Sequence, residues 1–146
     1  MSCEFCQACC QELAPLILRL SLAAVFLPQG FKKVFTYGYG QASENIIGMS
    51  TAVVPMWLAN FMGYFLPFAE LYIGLALLLG FGKYFTKILT VVVTFSIMMY
   101  WILKPTPEFA WFMNVHTWFF IAAITLKCLP FGKLSLDQLI WPGEKK

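Results

Sequence analysis

The sequence predicts an all-α integral membrane protein, a four-transmembrane-helix bundle with an additional interfacial or re-entrant segment. Three observations carry this. Apolar residues make up 60% of the 146 positions and charged residues only 12%, far from the balance of soluble domains. The apolar residues gather into runs near the ~20 residues a helix needs to cross the hydrocarbon core. Fifteen Phe, six Tyr and five Trp supply lipid-facing bulk and interfacial anchors, while seven acidic residues leave little to solubilise a separate domain. A net charge of +3, scattered rather than blocked, argues against nucleic-acid binding, which needs clustered Lys and Arg. The chain divides into a cysteine-rich segment at 1–12, a transmembrane bundle at 13–129 and an amphipathic tail at 130–146.

The first helix is read over Leu13 to Leu27, LAPLILRLSLAAVFL, with Arg19 as its one charge. Turns on either side, ending near PQGFKK, complete a crossing, and Lys32 and Lys33 then reach the headgroups. Residues 36–45, TYGYGQASEN, read as a polar loop. Residues 46–82 hold one charge, Glu70; a continuous helix over them would be about 55 Å long, too long for one straight crossing. Either 46–65 lie at the interface or re-enter and 67–82 cross, or both parts cross as a hairpin. Pro55, Asn60, Gly63 and Pro67 favour the first.

Tyr84 to Leu103 is the plainest crossing, flanked by Lys87 and Lys104. The fourth runs from about Phe109 to Leu129, with Lys127 snorkelling at its end. In the tail, Ser135 is placed to cap a short amphipathic helix whose Leu136, Leu139, Ile140 and Trp141 rest on the membrane. Four crossings put Lys83, Lys87, Lys127, Lys133, Lys145 and Lys146 on one side, against Lys32, Lys33 and Lys104 on the other. The positive-inside rule then places both termini in the cytoplasm.

Candidate functional residues are few. Arg19 and Glu70 are the charges deepest in the predicted helices, where an ionised group needs a partner or water. Their predicted depths, Arg19 nearer the cytoplasm and Glu70 nearer the outer face, argue against a direct pair. Snorkelling of Arg19 and local bonding of Glu70 compete with a polar pocket. His116 lies in the fourth helix beside Asn114 and Thr117. One histidine cannot supply both axial ligands of a membrane haem without Met113 or another subunit, so a core hydrogen bond or a quinone-carbonyl contact is the simpler use. Arg19, Glu70 and His116 form the candidate cofactor-binding set. No Ser-His-Asp arrangement, phosphate loop or HExxH pattern points to a self-sufficient hydrolase. Gly74, Gly80 and Gly82, with Ala69 and Ala76, suit close helix contact.

The segments LRLSLAAVFLPQGFKKVF, PFAELYIGLALLLGFGKYFTK and PFGKLSLDQLI resemble the DoxX family of small four-helix membrane proteins, which is related to the DoxD subunit of thiosulfate:quinone oxidoreductase. The family's first-helix arginine falls on Arg19, and the glycine and lysine at that helix's end on Gly30 and Lys33. Its second-helix glutamate and glycine fall on Glu70 and Gly74, its loop glycine and basic residue on Gly80 and Lys83, and its terminal motif on Gly132, Ser135, Leu136 and Asp137. The resemblance implies a DoxX-like bundle over 13–129, and the expected location is a bacterial or archaeal cytoplasmic membrane. It also implies a subunit role, with other membrane-complex subunits, the lipid bilayer and quinone as partners.

Cys3, Cys6, Cys9 and Cys10 crowd the N-terminal segment, CEFCQACC, whose Glu4 and Glu12 without Lys or Arg do not read as a secretory signal. They are the candidate metal ligands, for an iron–sulfur cluster or zinc. The adjacency of Cys9 and Cys10 fits a single cluster poorly. On a helix Cys3, Cys6 and Cys10 share a face, so packing on a partner is the simpler use. The functional expectation is a small integral subunit of an oxidoreductase or electron-transfer complex bordering a quinone site. If the chain is catalytic, it is so as a subunit of a quinone-linked membrane oxidoreductase. The alternative is a structural or assembly subunit without its own cofactor.

Overall fold

A computed structural model describes residues 3–103, 115–129 and 135–140. Six α-helices follow one another: α1 (Cys3–Phe31), α2 (Tyr39–Ser50), α3 (Met56–Leu79), α4 (Lys83–Leu103), α5 (Val115–Cys128) and α6 (Leu136–Ile140). Among the described residues, three stretches are long and apolar enough to cross a membrane, Leu13–Thr36, Met56–Leu79 and Lys83–Leu103. The fold is thus an all-α membrane-spanning bundle. The fourth predicted crossing corresponds to α5, described over 14 residues; positions 109–114 of that prediction lie outside the described residues. Helices α1, α3, α4 and α5 form a ring in which each packs on the next and α5 returns to α1.

The first crossing runs further than its apolar run. After Phe31 the chain continues through a π-helical turn, Lys32–Thr36, closed by the Tyr37 N–H donating to the Lys32 carbonyl at 2.9 Å. Such wide turns carry an i→i+5 bond and are uncommon outside functional or strained positions.

The second crossing departs from the sequence expectation. It begins at Met56, not after Pro67, and α3 runs unbroken through Pro67 for 24 residues, ~36 Å of helix. Pro67 removes one hydrogen bond to the residue 63 carbonyl, a loss that membrane helices tolerate when neighbours pack around it. Pro55 stands just before the first turn as the N-cap, where a missing N–H costs nothing. Gly63 is a seat rather than a weakness: a Cβ there would lie 2.4 Å from Ile47 Cγ1 of α2. Residues 46–65 are therefore divided between the end of α2, a short turn and the first part of α3.

The extra element exists but over Tyr39–Ser50, most of which reads as loop. At 12 residues, or ~18 Å, α2 is too short to cross. It folds back along the first half of α3, where Tyr39 donates to the Tyr64 carbonyl at 3.0 Å. Its buried face is Ala42, Ser43 and Ser50, a helical spacing written in small side chains. Helix α4 matches the expected crossing to within one residue.

The core that divides the bundle into two ends is a layer of Leu22, Phe26, Ile73, Leu77, Val93 and Leu126, each at most 4% exposed. Helices α1 and α3 come into backbone contact beside it. A Cβ on Gly74 would sit 2.5 Å from Leu27 Cα, and one on Gly30 would sit 2.3 Å from the Leu71 nitrogen. Small residues permit this approach where lipid gives helices no hydrophobic drive to associate. Of the glycines expected on helix faces, Gly74 alone serves that role; Gly80 and Gly82 lie in the α3–α4 turn.

Candidate functional site

The backbone contact at Gly30 fixes the end of α1 against the middle of α3, and the π turn follows at once. Lys33, in that turn, reaches Glu70, with Nζ donating to Oε1 at 2.7 Å and to Oε2 at 2.6 Å. Lys33 therefore points into the protein and not to the headgroups. The reason is the demand of Glu70, whose side chain is 5% exposed against 26% for Lys33. Glu70 is the fifteenth of the 24 residues of α3, so it sits near mid-helix and not one turn inside a crossing that starts at Pro67. An unpaired carboxylate there would be expensive, and a bidentate ammonium supplies the counter-charge.

Both groups line a cavity of about 540 Å³ to which α1, α2, α3, α4 and α5 all contribute. Its size falls within the ~300–1,000 Å³ typical of small-molecule sites. His116 lines the same cavity, with Trp101 and Phe119. The His116 ring stacks on Trp101, with centroids 5.5 Å apart and planes 13° from parallel, and meets Phe119 edge-on at 6.2 Å. Thr94 presents a buried hydroxyl from α4, donating to the Thr90 carbonyl at 2.7 Å. The cavity thus combines a cation, an anion and an imidazole with a flat aromatic wall. Such a lining suits a planar ligand carrying oxygen acceptors.

Arg19 lies elsewhere. It is 3% exposed and packs under the α3–α4 turn, where a Cβ on Gly80 would sit 2.5 Å from Nη1. Gly80 ends α3 in the left-handed region, at φ 71° and ψ 42°, so both backbone and space require glycine there. Gly80 and Glu70 are ten residues apart on the same helix, ~15 Å of rise, with the apolar layer between them. Arg19 consequently drops out of the cavity set, and the expectation that it does not pair directly with Glu70 agrees with this separation.

At the Arg19 end, α6 folds onto the α3–α4 turn. The Asp137 carboxylate accepts the Gly82 N–H at 3.0 Å and the Lys83 N–H at 2.8 Å, and the Asp137 N–H donates to the Gly80 carbonyl at 3.3 Å. Asp137 thereby caps α4 from a distant part of the chain, satisfying amides that a helix start leaves open. The expected capping of α6 by Ser135 is not formed: its buried hydroxyl has no hydrogen bond among the described residues. Nor does α6 present only an apolar face to lipid. Ile140 is exposed, but Asp137 anchors the helix to protein; Leu139 and Trp141 fall outside the described side chains.

Among the described residues, no three His, Cys, Asp or Glu side chains converge as a metal site. That statement does not reach Cys3, Cys6, Cys9 and Cys10: α1 begins at Cys3, but these side chains lie outside the described residues, as do Met113 and Asn114. The residue that sequence reasoning missed in the cavity is Lys33. A glutamate alone in an apolar run needs a cation, and Lys33 closes the preceding run.

Fold and site together define a multi-pass membrane protein built on a small helical ring, with an ion pair buried at mid-bundle in an aromatic cavity. The DoxX family profile matches residues 14–104, more than half of the chain. The chain belongs to the DoxX family. No curated protein and no solved structure shows a significant match to it.

Proposed function

We propose that this chain is a small integral subunit of a membrane oxidoreductase or electron-transfer complex, and that its cavity borders a quinone headgroup. The observation that supports this is the meeting of Lys33, Glu70 and His116 in one aromatic-walled cavity. Lys33 and a ring N–H of His116 are donors for the two carbonyl oxygens of a quinone, and the Trp101 side of the cavity suits its flat ring. The lysine distribution supports an orientation with both termini in the cytoplasm. The test is equilibrium binding of a decyl-tailed quinone to the purified protein in lipid nanodiscs. The reading expects saturable binding, weakened ~10-fold or more by His116→Leu. Absence of saturable binding to wild type removes the quinone role.

A second reading, an assembly subunit without its own cofactor, has one observation in its favour. Trp57 and Phe61 are 72% and 58% exposed and lie one turn apart on α3, next to Tyr64 and Phe68, which pack on Tyr39 of α2, so they offer a large aromatic surface to a partner. Replacing Phe61 with Ala should then reduce recovery of partner subunits while leaving the isolated chain folded.

A further inference from the structure

On the α3 and α4 sides the cavity is lined by the buried Leu66, Glu70 and Thr94 and by the half-buried Met62, Ile97, Tyr100 and Trp101. Among the described residues that line it, Gln29 of α1 and Met49 of α2 alone are exposed. The cause lies in the topology. Helix α1 gives way to the π turn near the level of Glu70, and α2 takes over beside the outer part of α3. Among the described residues, the main packing of α5 is on α1 and α4, and that of α2 is on α3 and the π turn. Gln29 and Met49 mark the exposed edge of the cavity, a gap where α1 gives way to α2. Met49 is 49% exposed.

We propose that this gap is a lateral port, through which the cavity's ligand keeps a long apolar tail in the bilayer while its polar head lies at Lys33, Glu70 and His116. The inference rests on the quinone reading and deepens it, since it assigns the ligand class as a lipid-soluble molecule with an isoprenoid tail. The physical case is one of matching. The inner wall carries the charged and imidazole groups, and the exit on the lip of α2 is a flexible thioether side chain, which adapts to a hydrocarbon chain of irregular shape. Phe31, two residues beyond Gln29 on α1, is apolar and exposed. A tail leaving the cavity therefore passes into lipid.

The experiment compares two probes, a tail-less methoxy-substituted benzoquinone and a quinone with a long isoprenoid tail, bound to the full chain in nanodiscs. Met49→Trp and Gln29→Trp narrow the port from opposite helices, so that a folding defect in one does not end the test. Leu78→Trp, on an exposed face of α3 away from the cavity, controls for added bulk. The port predicts that each lip substitution weakens the long-tailed probe ~10-fold while moving the tail-less probe less than ~2-fold, and that Leu78→Trp moves neither. Equal weakening of both probes, or no change in either, overturns the port while leaving head binding intact. Failure of wild type to bind either probe overturns the port together with the reading beneath it.

Discussion

Replacing Lys33 with methionine removes the counter-charge of Glu70 while keeping the volume and length of the side chain. The carboxylate left behind is 5% exposed and cannot turn to water. Breaking a buried pair from one side typically loses ~3–5 kcal/mol, and the partial exposure of Lys33 places this case at about 3 kcal/mol. That is about two powers of ten in the folding equilibrium. Glu70→Leu should lose less, about 1–2 kcal/mol, because Lys33 is 26% exposed and its long stem can carry the ammonium outward. The double substitution, leaving no charge behind, should resemble Glu70→Leu alone. The assay is reversible unfolding in bicelles by increasing detergent fraction, run as a double-mutant cycle. If the two single losses add to within ~0.5 kcal/mol in the double variant, the pair contributes nothing as a pair and the argument for a charge-balanced cavity fails.

Further outcomes follow from the same contacts. Gly74→Val places a side chain where even Cβ would be 2.5 Å from Leu27 Cα; overpacking at such a contact loses ~1–3 kcal/mol, seen as a lower melting temperature, while Gly40→Ala, which meets nothing within 4 Å, should leave it unchanged. Asp137→Ala removes a charged acceptor from two amides and should lose ~1.5–3 kcal/mol, with faster hydrogen exchange at Gly82 and Lys83 and no change at Thr94. Cysteines introduced at Gly40 and Gly143 in a chain otherwise lacking cysteine should label from opposite sides of the membrane; labelling from one side rejects the orientation with both termini in the cytoplasm.

What could be read from the sequence depended on how far side-chain size and polarity report the environment. Helix α4 was legible because VVV and IMMYWIL make a long apolar run, broken only by the hydroxyls of Thr94 and Ser96, with a lysine near each end. Helix α2 was not, since its buried positions are Ala42, Ser43 and Ser50 and small or hydroxylated residues read as loop. Pro67 misled by its local rule: in isolation it breaks a helix, and only packing by α1 and α2 makes the break unnecessary. Glu70 and His116 were visible as polar residues in apolar runs and do share the cavity. Arg19 carried the same signal yet belongs to the opposite end, because a lone charge announces burial but not which neighbour it meets. Lys33 was assigned to the headgroups since a lysine at the end of a run usually snorkels. Its turn inward depends on the Gly30 contact, which brings α1 against α3 and is a tertiary fact.

The Asp137 cap couples two stretches that ribosomes produce at different times. Residue 137 is made 54 positions after the Lys83 amide it holds, by which point α3 and the α3–α4 turn have already left the ribosome. The turn between α3 and α4 can insert early, but its final geometry waits for a segment that follows the last ring helix. A chain interrupted before that point carries the whole ring with an unlatched corner, in which Gly80, Gly82 and Lys83 offer open backbone groups beside the buried Arg19. The latch thus makes the final geometry of this corner depend on the last-made part of the described chain.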